Sequence, residues 1–186
     1  MDISNLANNF LLAMPGMHDP NFANTLIYLC EHSKNGALGI IITRPLEMTL
    51  FNLFEKIEID HSDSPLKNVP VYFGGPIQIE RGFVLHRPLG NWQNTLKITD
   101  NIGLTSSRDI LNAIGSKMQA QNLFVALGYT GWTQGQLELE LMQNAWLPLP
   151  ADENIIFNVP AMQKRQKALS KMGVDFSQFG NGAGHA

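Results

Sequence analysis

Cysteine is nearly absent from this chain. Cys30 stands alone among 186 residues, which removes any intramolecular disulfide and any cysteine-rich zinc site. A single thiol fits a reducing cytosol. Charge is also sparse, at 16% of residues with a formal balance of −3, so no general basic field draws in a polyanion and nucleic-acid binding would need a local patch. Long apolar runs are missing too: Ile40, Ile41 and Ile42 are hemmed in by Gly39, Thr43 and Arg44, far short of the ~20 residues a membrane helix requires. The opening MDISNLANNFLLAMPG has no basic leader, and its apolar FLLAM is too short for a signal-peptide core. No serine sits in a GxSxG elbow, which leaves hydrolase chemistry without support. These absences lead us to expect a cytoplasmic protein with no membrane contact, no metal and no cofactor.

Apolar residues make up 44% of the chain, and a domain of this length buries roughly 70% of its unfolded surface, enough for one core without staples. We expect a single domain over residues 1–179 and a flexible, glycine-rich tail over 180–186. Runs rich in β-branched residues, TLIYLC at 25–30 and ALGIIIT at 37–43, predict two strands joined by the turn SKNG. Leu50, Leu53 and Phe54 recur at helical spacing within 49–56. Further strands are expected at 71–73, 82–86, 94–99, 123–127 and 154–158, the run at 123–127 being the central one, and an exposed loop at 60–70. Helices are expected at 106–118, 136–142 and 160–172. Strands that first pair locally and then alternate with helices, without a strict βαβ repeat, predict a mixed α+β or α/β sandwich with a substantial antiparallel component.

The stretch YFGGPIQIERGFVLH at 72–86 concentrates glycine, proline and charge. Gly74 and Gly75 suggest a nest of amides for an anion, but Pro76 lacks an amide hydrogen and the segment carries neither GxxxxGK[ST] nor GxGxxG. A turn that exploits glycine's positive φ is the plainer expectation. Glu80 and His86 share strand parity, yet six residues at ~3.3 Å each hold them about 20 Å apart, too far for a dyad in one straight strand. We expect Glu80 instead to form a structural ion pair, with Arg44 as the named partner. Arg44, Gly74, Gly75, Glu80, Arg81 and His86 together form the candidate binding cleft for a protein or small-molecule partner. They do not form a complete catalytic set.

Two further constellations carry chemistry. Cys30 and His32 share parity on a strand, so an imidazole could activate the thiol as a redox pair, against the commoner role of a buried cysteine as a small core residue. On the last helix Lys164, Lys167 and Lys171 follow an i, i+3, i+7 stripe beside Arg165, a candidate nucleic-acid contact. Neither a helix-turn-helix signature nor stacking aromatics accompany it, and a solvated helix face explains it as well. Trp132 and Trp146 could pack the 136–142 helix onto the sheet or line a pocket with Tyr129, and packing is the plainer expectation.

Four stretches, 10–32 (FLLAMPGMHDPNFANTLIYLCEH), 36–45 (GALGIIITRP), 71–86 (VYFGGPIQIERGFVLH) and 127–147 (LGYTGWTQGQLELELMQNAWL), together resemble the bacterial YqgE/AlgH family. The resemblance implies a compact α+β domain with a mixed, largely antiparallel sheet or partial barrel flanked by helices. One member of that family is associated with regulation of alginate production, so the resemblance also implies a transcription-related role. It supplies no biochemical activity, and a fold alone does not provide one.

Overall fold

The two β-branched runs on either side of SKNG are realised as paired strands. The computed structural model describes residues 5–61, 68–116 and 122–173, so the tail at 180–186 and much of the expected loop at 60–70 lie outside the described residues. In it β1 (Asn9–Ala13), β2 (Leu26–Ser33) and β3 (Gly36–Ile41) run antiparallel in succession. Thr49 caps α1 (Leu50–Lys56) through a reciprocal pair with Asn52, and buries Leu50, Leu53 and Phe54 as the spacing predicts. A strand absent from the sequence reading, β4 (Pro45–Thr49), leads into that helix and pairs with β5 (Pro70–Phe73).

β6 (Ile77–His86), β7 (Thr95–Lys97) and β8 (Gly103–Thr105) extend the sheet, and α2 (Arg108–Ser116) follows. The expected central strand is β9 (Leu123–Thr133), and it is longer than its apolar run because Tyr129 to Thr133 continue the pairing. Along one side β9 pairs antiparallel with β6; along the other, its first half pairs parallel with β5 and its second half antiparallel with β3. With β10 (Trp146–Pro150) at one edge, the strand order is therefore β10-β1-β2-β3-β9-β6-β8-β7, with β4 and β5 off this path. The result is a curled, largely antiparallel half-barrel with helices on its faces.

The segment QLELELM, whose period-two alternation also suits a strand, forms the expected helix as α3 (Gln136–Met142), where Gln136 Oε1 accepts from the Thr133 amide at 3.0 Å. The expectation of a strand at 154–158 is corrected: that segment is α4 (Glu153–Phe157), capped by Asp152, which accepts from the Ile155 amide at 3.0 Å. The strand lies earlier, as β10, whose one partner among the described residues is β1. Its edge position is what makes Pro148 and Pro150 tolerable. α5 (Ala161–Ser170) completes the fold.

Strand parity divides the interior. Phe10, Leu12, Tyr28, Ile40, Phe83, Leu85 and Phe124 face one core, closed by Ile155 and Ile156 of α4 and Ala168 and Leu169 of α5. Their neighbours point the opposite way. Leu11, Ile27, Leu29 and Ile41 meet Leu137 of α3, while Val71, Val84 and Val125 meet α1 and α2.

Candidate functional site

Gly74 and Gly75 sit where β5 crosses to the far side of β9. The Gly74 amide donates to Leu127 O at 2.8 Å and its carbonyl accepts from Ile41 N at 2.9 Å, so this peptide is spent on the sheet and not on an anion nest. A Cβ on Gly75, whose φ is +153°, would lie 2.2 Å from the Tyr129 carbonyl. Both glycines are there because two backbones meet.

Past Pro76 the chain enters β6 with an irregularity. Ile77 pairs with Tyr129 and Gly82 with Leu127, so residues 78–81 stand opposite the single residue Gly128. Four residues spanning the space of one must bulge outward, and Gln78 takes φ +51° in doing so. The projection is exposed from Ile77 to Arg81, with Ile77 at 37% and Ile79 at 56%. Arg81 fixes its base: the guanidinium donates to Gln78 Oε1 at 3.2 Å and to Ser106 Oγ at 2.8 Å, and lies 5.6 Å from the Phe83 ring centroid. Beside it opens a groove of about 420 Å³ whose lining includes Leu38, Ile77, Tyr129, Gly131, Trp132 and Glu31. A Cβ on Gly131 would come within 3.0 Å of Ile77 Cδ1, so the absent side chain sets the depth of the groove.

The candidate cleft does not assemble as one unit. Arg44 donates to the carbonyls of Pro20, Asn21 and Ala23 at 2.8, 2.7 and 2.8 Å, clamping the turn before β2 and making no ion pair with Glu80. Glu80 is exposed on the projection. His86, at the opposite end of β6, is fully buried. Its Nδ1 donates to Pro88 O at 3.2 Å and its Nε2 accepts from the Thr105 hydroxyl at 2.7 Å. Burial holds its pKa below the usual histidine range, partly offset by the Pro88 bond. Of the six cleft residues, the Gly-Gly turn, Glu80 and Arg81 are neighbours, while Arg44 and His86 belong elsewhere.

Cys30 and His32 are also separated. β2 slips register between Leu29 and Glu31, and a bulge reverses the parity that would align the two side chains. Cys30, 2% exposed, packs with Phe10 and Tyr28 and donates to Tyr28 O at 3.5 Å. Burial, and then Glu31, push its thiol pKa up, the reverse of activation. His32 turns towards α3: Nδ1 accepts from the Leu6 amide at 2.9 Å, so Nε2 carries the hydrogen and donates to Glu138 Oε1 at 2.9 Å.

The AlgH-like family model matches residues 10–177. The chain belongs to that family. A UPF0301 protein of Dechloromonas aromatica is 53% identical over 186 residues, covering 100% of each chain, and one of Azoarcus sp. is 56% identical over 183 residues, covering 98% of this chain and 97% of its own. The solution structure of the AlgH protein from Pseudomonas aeruginosa is 40% identical, with a TM-score of 0.81 over 100% of this chain and 98% of that one. A Corynebacterium diphtheriae protein, 17% identical with a TM-score of 0.67 over 88% and 85% of the two chains, shares the fold.

In this AlgH-like domain the basic stripe of α5 is dismantled. Lys164 is 1% exposed and donates to Ile156 O at 2.8 Å. Arg165 reaches Ala13 O at 3.3 Å, and Lys171 is paired with Asp152. Lys167 and Lys171 are the exposed cations of the four, and Lys171 is held by Asp152. A helical stripe read by i, i+3, i+7 spacing does not say which side faces in. Here the buried side is Lys164, Ala168 and Leu169, a spacing of i, i+4, i+5 that was legible as the apolar pair Ala168 and Leu169.

A second arrangement escaped the sequence reading. Glu140 Oε2 accepts from the indole nitrogens of both Trp132 at 2.9 Å and Trp146 at 2.8 Å, and Oε1 accepts from Gln136 at 3.0 Å. The two rings pack edge to face at 5.9 Å. The tryptophans thus do hold α3 to the sheet, through a carboxylate as well as by contact. Among the described residues no group of histidine, cysteine and acidic side chains could hold a metal, and no helix is long and apolar enough to cross a membrane.

Proposed function

We propose that this chain is a regulatory or interaction domain of the cytoplasm, engaging an extended protein segment at the Ile77 to Arg81 projection. The observation that carries this reading is the exposure of Ile79 and Ile77, 56% and 37%, on a strand that leaves its pairing partner. Aliphatic side chains held outward by a backbone bulge gain free energy only when another surface covers them. The adjoining groove offers that surface aromatic and aliphatic lining from Tyr129, Trp132 and Leu38, with Glu31 beside it. A transcription-related role, which the family resemblance implies, would be exercised through such a partner, since Lys164 is buried and Lys171 is paired with Asp152, which leaves the α5 stripe incomplete.

The test is retention from the native bacterial host. A tagged chain should retain a protein that Ile77→Glu/Ile79→Glu loses, with both forms showing the same thermal unfolding. Equal retention by the two forms, or retention of nothing by the parent, would overturn the reading.

A further inference from the structure

Among the described residues Lys164 is the sole lysine, arginine, aspartate or glutamate that is buried. It leaves the first turn of α5 and ends beneath two stacked rings, its Nζ 4.6 Å from the Phe124 centroid and 5.3 Å from that of Tyr72. One N–H donates to Ile156 O near the end of α4, and no described carboxylate forms an ion pair with it. A recess of about 280 Å³ is lined by this side chain together with Tyr72, Phe124, Phe157, Asn158 and Val159. Asn158 is exposed and Val159 half-buried, so they form its outer rim.

We propose that Lys164 is a covalent site, its amine condensing with the carbonyl carbon of a small neutral aldehyde or ketone seated in this recess. The Nζ lone pair forms the new C–N bond. The carbonyl oxygen takes up the two amine hydrogens and leaves as water past the exposed Asn158, and the product is an imine. No electron donor or acceptor is consumed. Desolvation, with no charge nearby to oppose it, lowers the amine pKa to about 7, so much of it is an uncharged nucleophile near neutrality. Tyr72 is the other ionisable group in the lining, and its own burial keeps the phenol protonated.

The lining also selects the ligand. Apart from Lys164 it contains no cation to hold a carboxylate or phosphate, and Arg165 is directed to Ala13 O instead. Neutral carbonyl compounds with an aliphatic or aromatic body fit; keto acids and phosphorylated aldehydes do not.

The experiment is reductive trapping on the full chain with benzaldehyde and cyanoborohydride at pH 7, the sites being mapped by peptide mass spectrometry. Lys164 has the depressed pKa and the recess to seat the aldehyde, so it should be labelled first, at least about tenfold ahead of Lys34, Lys97 and Lys167. In urea the preference should vanish. Labelling that follows exposure and spares Lys164 would overturn the proposal, and so would a preference that survives unfolding, because it would then owe nothing to the recess.

Discussion

A Cβ placed on Gly75 would stand 2.2 Å from the carbonyl carbon and oxygen of Tyr129. That contact lies at the root of the projection, where the chain turns past Pro76 into β6. Gly75→Ala should therefore destabilise the fold by more than about 2 kcal/mol, from backbone collision added to a positive φ. Urea unfolding reads this directly. Gly16→Ala, at a site with nothing within 4 Å, is the matched control and should change little.

Glu140 joins two buried indoles, and Glu140→Ala leaves both N–H groups without their acceptor. The expected cost is about 2–6 kcal/mol, each of the two stranded donors contributing roughly 1–3 kcal/mol. Near-ultraviolet circular dichroism should lose the tryptophan signal of the edge-to-face pair. Unchanged stability would mean that α3 is held by contact alone.

His86 is buried as the neutral imidazole, and its folded pKa is depressed below the unfolded value. Between those two values the unfolded chain binds more protons than the folded one. Stability is thus present above the unfolded value, ~6.5, and is lost as pH falls towards the folded one. Unfolding midpoints at pH 7.5 and 5.5 should differ more in the parent than in His86→Gln.

Lys164 works in the opposite range. Its folded pKa, about 7, lies below the ordinary lysine value, so the folded state holds fewer protons between pH 7 and 10 and gains stability as pH rises through that window. The parent should gain on Lys164→Met by up to roughly 1.4 kcal/mol per pH unit there. At pH 7 and below, the methionine variant should be at least as stable as the parent, since a buried unpaired amine is costly.

Cys30 should resist iodoacetamide at pH 7.5 in the native state and react once urea is added, because its thiol is both inaccessible and held protonated. Native alkylation at the rate of an unfolded cysteine would restore the redox reading.

Local pattern carried the sequence reading where neighbours in the chain decide structure. The hairpin of β2 and β3, the capped α1, the glutamate-rich α3 and the run inside β9 all follow from spacing within one element. The misses depend on contacts that the pattern inside one element does not report. Residues 78–81 bulge because Gly128 alone stands opposite them, and nothing in GPIQIERG reports that count. Parity in β2 fails at Cys30 through a slip against Gly39 and Leu38. Segment 154–158 looks like a strand by its apolar run, while the Asp152 cap that makes it a helix lies outside that run. The i, i+3, i+7 spacing sets Lys164 on an outward stripe, whether solvated or facing nucleic acid, because spacing fixes a helix face but not the direction in which that face points.

The central claim, docking at the projection, is tested most directly by site-specific photocrosslinking in the native host, with a benzophenone side chain introduced at position 79 or, as control, at position 162. Met162 is 96% exposed on α5, well apart from β6 in the chain, so exposure alone would favour it. The account predicts a discrete protein adduct from position 79, abolished by Ile77→Glu, and none of that mass from position 162. The same adduct from both positions, or none from position 79, would contradict it.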